Sequence, residues 1–145
     1  MPRPLTPITN ETFPELGPGR MLDRIIAENV LRHKWSNKDN QLGEMLWYKG
    51  GELLFHSNFK PSTNPICAME AVRRYIDANS EGQIDLSISR QSKKWKITLT
   101  LGYHQESYTY YGDDLAFPIC LCLVKAYLNY GPKDYEKYGW LKRHK

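Results

Sequence analysis

The chain lacks the features that mark a membrane protein or a secreted protein. No apolar run among its 145 residues approaches the ~20 residues that a helix needs to span a bilayer. The first seven residues hold three prolines, where a signal peptide would carry an apolar core. We therefore predict no membrane association and no secretion.

Cysteine is scarce as well. The three cysteines, Cys67, Cys120 and Cys122, are odd in number, and all of them fall in helix-like segments. Cys120 and Cys122 would point to different faces of a helix, so they cannot readily pair. These positions favour buried, reduced thiols in a cytosolic protein over disulfides or a metal site.

The sequence signatures of catalysis are missing. There is no Gly-x-Ser-x-Gly elbow, no glycine-rich phosphate loop and no dinucleotide fingerprint. The four histidines are scattered, without the paired spacing of zinc sites. Asp113 and Asp114 precede a helix-like segment, where we interpret them as an N-cap rather than as a general acid–base pair. We predict a protein that is not an enzyme and that uses neither a metal nor a cofactor.

Positive charge is in only mild excess. The formal net charge is +4, and residues 133–145 hold five basic and two acidic residues, so most of the excess lies there. The remainder is nearly neutral, which argues against a nucleic-acid-binding face. Two interpretations of the basic segment stay open: a solvated tail that aids solubility, or a tail that faces an anion or a partner.

Hydrophobic periodicity predicts helices on either side of an antiparallel meander. Asp23 and Glu28 lie outside the apolar stripe of the predicted first helix, elsewhere on the helix surface. Ile84, Leu86 and Ile88 alternate with polar residues, as in a half-buried strand. The predicted elements are a first helix over 19–32, a hairpin around 50–51, a second helix over 65–76, three strands within 84–111 and a third helix over 116–130.

These elements predict an α+β fold in a single domain, residues 19–130, with an antiparallel β-sheet meander packed against helices in an α/β/α-type sandwich. Five prolines make residues 1–18 an extended N-terminal arm. Gly131 and Pro132 are expected to stop the third helix and to leave residues 131–145 as a basic, aromatic C-terminal tail.

Three short motifs resemble the phage ABA-sandwich domain family. Residues 16–28 are similar to the family's opening helix, and Trp35 stands where the family often has a tryptophan. Residues 61–64 resemble its Tyr-Ser-Thr-Asp turn, and residues 116–120 resemble its closing helix. The resemblance covers residues 16–130. It implies an antiparallel sheet packed against helices and a phage or prophage origin, and it brings no known reaction.

Non-covalent binding of a nucleotide-type ligand is the function that these residue types favour. Aromatic rings can stack on bases, basic side chains can neutralise phosphates, and the capped start of a helix offers backbone N–H groups to an anion. The aromatic residues outside the expected core stripes are Trp35, Trp47, Tyr48, Tyr103, Tyr108 and Tyr110, and the basic residues near them are Arg20, Lys34, Lys60 and Lys93.

The predicted site combines an anion seat with a stacking ring. Arg20 or Lys60, with the start of the second helix, would hold the anionic group, and Trp35 would stack on the base. The alternative is that the tyrosines only suit a sheet and the hydroxyl residues only cap the helix. The predicted ligand-binding residues are Arg20, Trp35, Lys60, Ser62, Thr63 and Asn64.

Two functions stay open. The leading one is a phage-encoded binding protein in the host cytoplasm that sequesters a nucleotide-derived immune signal, as a counter-defence sponge. The alternative is a phage interaction module that inhibits a host protein and binds no small molecule. We also predict a homo-oligomer, because the proline-rich arm has nothing local to pack on, Trp47 and Tyr48 are expected to be exposed, and strand 107–111 is a candidate open edge.

Overall fold

Two three-stranded antiparallel sheets and three helices make up the fold. The computed structural model describes residues 8–36, 46–49, 52–55, 58–78, 83–102 and 105–143. The predicted α+β architecture, an antiparallel meander packed against helices, is confirmed. In chain order the elements are a 3-10 helix (Phe13–Glu15), α1 (Arg20–Ile25), a π-helical turn (Ile26–Val30), β1 (Lys34–Ser36), β2 (Leu46–Lys49), β3 (Glu52–Phe55), α2 (Pro65–Ala78), β4 (Ile84–Gln91), β5 (Lys94–Leu101), β6 (Glu106–Gly112) and α3 (Ala116–Arg143).

The C-terminal half of the chain forms the predicted meander, with the strand order β4-β5-β6. Pairing of β4 with β5 is one-to-one and unbroken, from Ile84 opposite Leu101 to Gln91 opposite Lys94. Because side chains alternate across a strand, Leu101 shares the inner face with Leu99 and the other odd-numbered residues of β5. The opposite face carries hydroxyl residues, two pairs of which hydrogen-bond across β5 and β6.

Helix α3 anchors the core. It packs against β5, β6, α2 and the π-helical turn, and Ile119, Cys120, Leu123 and Val124 are fully buried along it. Burying one aliphatic side chain of this size contributes about 1.5–3 kcal/mol. The burial of these side chains follows from the contact of α3 with four elements.

The start of α3 tolerates a proline. Pro118 is its third residue, within the first turn, where backbone N–H groups have no intrahelical partner. Asp114 caps this turn, because its Oδ1 accepts a hydrogen bond of 3.3 Å from the backbone N–H of Phe117. Asp113 is exposed and lies 3.8 Å from Nζ of Lys94. The N-cap interpretation therefore holds for Asp114.

Among the described residues of the small sheet β1-β2-β3, Trp47 and Leu54 are buried in the core. Strands β2 and β3 form the predicted hairpin, and Trp47 on β2 is fully buried. Its ring meets Phe59 edge to face, with 6.2 Å between ring centroids. Its Nε1 donates a 2.8 Å hydrogen bond to Oε2 of the buried Glu28. The predicted exposure of Trp47 is therefore wrong, and Tyr48 has a side chain outside the described part of the chain.

The first helix is not one regular helix. After α1, the N–H of Leu31 donates to the carbonyl of Ile26, five residues back, which is π-helical spacing. The segment then ends at Arg32, whose φ is 61°. A π-turn adds a residue to the turn, so the 3.6-residue spacing used for the sequence fails here. Glu28, expected off the apolar stripe, is buried as a result.

The third helix does not stop where predicted. It continues through Gly131 and Pro132 to Arg143, because a proline removes one helical hydrogen bond but leaves helix possible on both sides. The segment 131–145, predicted as a tail, therefore begins inside α3. Part of the N-terminal arm also packs locally: Phe13 is buried and meets Tyr110 edge to face at 5.7 Å.

The β4–β5 turn offers a stability test. Its two residues, Ser92 and Lys93, have φ values of 51° and 70°, as in a type I′ turn, which prefers Asn-Gly. Left-handed backbone costs a residue with a side chain about 1–2 kcal/mol, part of which glycine loses again as unfolded-state entropy. We expect Ser92→Asn/Lys93→Gly to raise the free energy of unfolding in urea by roughly 0.5–1 kcal/mol. An equal rise from Ser89→Asn, inside β4, would contradict this reason.

Candidate functional site

An open cleft lies between the start of α1 and the segment that enters α2. Its volume is about 200 Å³, and it opens to solvent. Three of the six predicted ligand-binding residues, Arg20, Lys60 and Thr63, line it together. The lining residues are Gly19, Arg20, Asp23, Phe59, Lys60 and Thr63.

The cleft is held in shape by Ser62, which lies buried beneath it. The backbone N–H of Gly19 donates a 2.8 Å hydrogen bond to the Ser62 hydroxyl, which donates in turn to the Gly19 carbonyl at 3.1 Å. The backbone N–H of Ser62 donates to Oδ1 of Asp23 at 2.8 Å. These bonds join two segments 43 residues apart in sequence, so Ser62 serves the architecture of the cleft rather than a ligand.

Gly19 has backbone geometry that favours glycine. Its φ is 148°, in a region that residues with a side chain rarely adopt. Both of its backbone polar groups serve the Ser62 hydroxyl, and its carbonyl also accepts the N–H of Asp23 at 3.0 Å. The Gly-Arg pair at the start of α1 therefore places Arg20 at the cleft with a fixed backbone.

Asn64 caps α2 and leaves no amide of the first turn for an anion. Its Oδ1 accepts hydrogen bonds from the N–H groups of Ile66 at 2.9 Å and Cys67 at 3.3 Å. Pro65, the first helical residue, has no N–H to offer. The anion seat predicted at this helix N-terminus therefore has no free backbone N–H donor among these residues.

The remaining polar groups of the cleft are two cations, a hydroxyl and a carboxylate. Lys60 and Thr63 are both exposed, and the ammonium group of Lys60 makes no ion pair with a described residue. The backbone N–H of Thr63 donates to the Lys60 carbonyl at 3.2 Å, which places their side chains along one turn. Asp23 is largely buried and oriented by Ser62. The lining of the cleft therefore combines two cations, Arg20 and Lys60, with the carboxylate of Asp23.

Trp35 lies on β1, directly opposite Trp47 of β2. Its side chain lies outside the described part of the structure, so its stacking role stays a prediction. Tyr108, expected outside the core stripes, is buried in the core, and its hydroxyl donates to Oε2 of Glu106 at 2.7 Å. Tyr103 falls outside the described residues.

Sequence reasoning missed two residues that shape the cleft, Asp23 and Phe59. Asp23 was placed on the solvent side of a regular helix, and no local pattern reveals a partner that lies 39 residues further along the chain. Phe59 is buried against Trp47, but it stands alone in a polar segment without periodicity. Asp23 lies within residues 16–28, the segment that resembles the opening helix of the phage family.

Burial keeps the thiols of Cys120 and Cys122 in their protonated form by raising their pKa values. Burial, reinforced by the nearby Asp23 carboxylate, raises the pKa of the Cys120 thiol well above its usual range. Burial raises the pKa of Cys122 to about 12, and its Sγ lies 3.5 Å from the Tyr108 carbonyl oxygen. Half-buried Cys67 has its Sγ 3.2 Å from the Asn58 carbonyl oxygen. Protonated thiols are poor nucleophiles and poor metal ligands.

Comparisons with known proteins add no assignment. Family models, curated proteins and solved structures all give no match to this chain. The phage ABA-sandwich resemblance therefore stays a prediction that depends on its motifs. In the described ranges, no cluster of three His, Cys, Asp or Glu residues could hold a metal ion. The described helices include none that is long and apolar enough to cross a membrane.

The Ser62 junction can be tested against its neighbour in the chain. Ser62→Ala leaves both backbone groups of Gly19 without their hydroxyl partner, so we expect a loss of about 1–3 kcal/mol in the free energy of unfolding. Thr63→Ala removes an exposed hydroxyl and should change it by less than about 0.5 kcal/mol. Urea denaturation measures both, and equal losses would refute the structural role of Ser62.

Thiol reactivity tests the burial of the cysteines. In the native protein near neutral pH, we expect at most one of the three thiols to react rapidly with a disulfide reagent, and all three to react after denaturation. Two fast thiols in the native state would contradict the burial of Cys120 and Cys122.

The same thiols predict a loss of stability at alkaline pH. The pKa of an unfolded thiol is near 9.0, whereas burial raises the pKa of Cys122 to about 12 in the folded protein. The unfolded state therefore loses protons first, and the free energy of unfolding falls as pH rises from 9.0 towards about 12. Each such thiol contributes a slope of up to about 1.4 kcal/mol per pH unit. Cys122→Ala should reduce the slope of the free energy of unfolding against pH. An unchanged slope would show that the Cys122 thiol does not cause the loss of stability.

Proposed function

We propose that the protein is a non-catalytic binding protein that holds a phosphate-bearing, nucleotide-type small molecule at the cleft of Arg20, Lys60 and Thr63. The observation that carries this proposal is the convergence of two cations and a hydroxyl on one open cleft. A guanidinium and an ammonium group give charge-assisted hydrogen bonds to phosphate oxygens, and these bonds are stronger than bonds between neutral groups.

The size of the cleft suits a phosphate group more than a whole nucleotide. Its volume of about 200 Å³ is below the range of about 300–1,000 Å³ that is usual for drug-sized ligands. The phosphate would sit between Arg20 and Lys60, and the remainder of the ligand would extend from the open side. Trp35, on β1, is the residue that we propose stacks on the base.

Sequestration of a host immune signal is the biological role that we propose for this binding, in the host cytoplasm of a phage infection. This role derives from the resemblance to a phage family together with the binding site. The pKa values raised at Cys120 and Cys122 favour capture over covalent catalysis. A sponge needs affinity and abundance, and it needs no chemistry on its ligand.

A second function has an observation of its own. Three large apolar side chains on α1 and α2 face solvent: Met21 is 64% exposed, Ile66 81% and Met69 42%. Ile66 and Met69 are three residues apart and therefore neighbours on one helix face. Apolar groups in such a position favour the alternative of an interaction module that inhibits a host protein.

Calorimetry with inorganic phosphate and with linear and cyclic nucleotides tests the proposed site. We expect wild type to bind a nucleotide with micromolar affinity or better, and Arg20→Ala or Lys60→Ala to weaken binding about 10- to 100-fold, because each removes a charged hydrogen bond worth about 1.5–3 kcal/mol. Trp35→Ala should cost a similar factor if the ring stacks on the base.

The matched control is Lys96→Ala, which removes one positive charge from β5 on the hydroxyl-rich face of the meander. It should bind as wild type does. Thermal unfolding of each variant confirms that it is folded. Absence of binding by wild type to every ligand rejects the binding function, whereas binding that Arg20→Ala and Lys60→Ala leave intact rejects the cleft alone.

A further inference from the structure

Burial changes sharply across the inner face of the meander. On β5, Ile97, Leu99 and Leu101 are buried, with exposed fractions of 0%, 0% and 4%. The residues directly opposite them on β4 are Ile88, Leu86 and Ile84. Ile88 is 41% exposed, and the other two are only half-buried. The helices therefore cover β5 and leave the apolar face of β4 partly open.

At the other outer strand, β6, the inner face of the meander is covered. On β6, Tyr108 is buried, and Tyr110 packs against Phe13 of the N-terminal arm. Helix α3 lies against β5 and β6. Both β4 and β6 are outer strands of the meander in the described residues, but the inner face is covered at β6 and partly open at β4.

The outer edge of β4 also has free backbone groups, since no described strand pairs with it. Gln91 and Lys94 flank a two-residue turn and therefore form a hydrogen-bonded pair. Alternation then directs the N–H and C=O groups of the even-numbered residues of β4 away from β5. Ile84, Leu86 and Ile88 consequently combine uncovered side chains with unpaired backbone groups.

Strand β4 lacks several of the features that normally protect a sheet edge, and its one charged residue on the inner face, Arg90, lies over the Trp95 ring with 4.9 Å to the ring centroid. Monomeric proteins use short edge strands, proline, lysine or a bulge for this purpose. Strand β4 is eight residues long, contains neither proline nor lysine, and has an unbroken register with β5. Its length and pattern are those of a strand that pairs on both sides.

We propose that β4 pairs with β4 of a second copy of this chain, antiparallel, across a twofold axis perpendicular to the sheet. Such an axis keeps inner-face residues opposite inner-face residues. Centred on Ser87, it places Leu86 opposite the partner's Ile88, so the apolar residues nearest the axis meet one another. The two sheets then form one six-stranded sheet, and the open side chains of β4 are covered.

The charges of β4 fit a second copy. Its only charged residues are Asp85 and Arg90, which lie on opposite faces because their positions differ by an odd number. Pairing centred anywhere from Leu86 to Ile88 sets neither residue opposite its own equivalent, so no like charges meet. This pairing does not depend on the cleft, which lies at α1 and the entry to α2.

Light scattering during size-exclusion chromatography tests the proposal on the full-length protein. We expect twice the monomer mass of 16.9 kDa for wild type and 16.9 kDa for Ile88→Lys, because an inward-facing charge blocks edge pairing. The control Ile66→Lys changes an exposed apolar residue on α2 and should leave the dimer intact. A monomeric wild type, or a dimer that Ile66→Lys alone disrupts, overturns the proposal.

A cysteine scan keeps the test decisive if Ile88→Lys fails to fold. Leu86→Cys, Ser87→Cys and Ile88→Cys each place a thiol near the proposed axis. A non-hydrogen-bonded pair such as Ser87 and its equivalent has Cα atoms about 4.5 Å apart, within disulfide range. We expect Ser87→Cys to give the highest yield of disulfide-linked dimer on mild oxidation and Thr109→Cys, on β6, to give none. No cross-link from any of the three positions on β4 overturns the proposal.

Discussion

The hydroxyl group of Ser62 is the contact on which the candidate site depends. It accepts the N–H of Gly19 and donates to the carbonyl of the same residue, while the Ser62 N–H is held by Asp23. A buried polar group without a partner costs about 1–3 kcal/mol, so these groups constrain one another. Their mutual satisfaction fixes the start of α1 against the segment before α2, and Arg20, Lys60 and Thr63 face one cleft because of it.

The hydrogen bonds between Ser62, Gly19 and Asp23 are linked to helix α3 through the Asp23 carboxylate. Cys120 of α3 is fully buried, and the Asp23 carboxylate is close enough to reinforce the rise in its pKa. The carboxylate therefore lies between the hydrogen bonds of the cleft and the apolar core. A protonated thiol is a neutral neighbour for it, whereas a thiolate would add a second negative charge in a medium of low dielectric constant. Core packing and cleft geometry are thus not independent.

The sequence predicted what depends on local pattern. Alternating residues identified the meander, and Pro65 with the polar residues before it located the start of α2. Two features that no local pattern reveals were not predicted. The π-helical turn breaks the 3.6-residue period and buries Glu28, and the Asp23–Ser62 bond spans 39 residues. Three residues of the predicted site, Arg20, Lys60 and Thr63, converge on the cleft, while Ser62 and Asn64 have structural bonds instead.

The uneven cover of the meander follows from how the helices are used. Helix α3 has to contact α2, the π-helical turn and two strands at once, and one helix with a diameter of about 10 Å spans only about two strands spaced roughly 4.8 Å apart. Helix α3 covers the inner faces of β5 and β6, so the inner face of the third strand, β4, is left partly uncovered. An alternating strand with an apolar inner face is stable in water only when that face is buried. The position of α3 thus accounts both for the buried core at β5 and β6 and for the partly exposed inner face of β4.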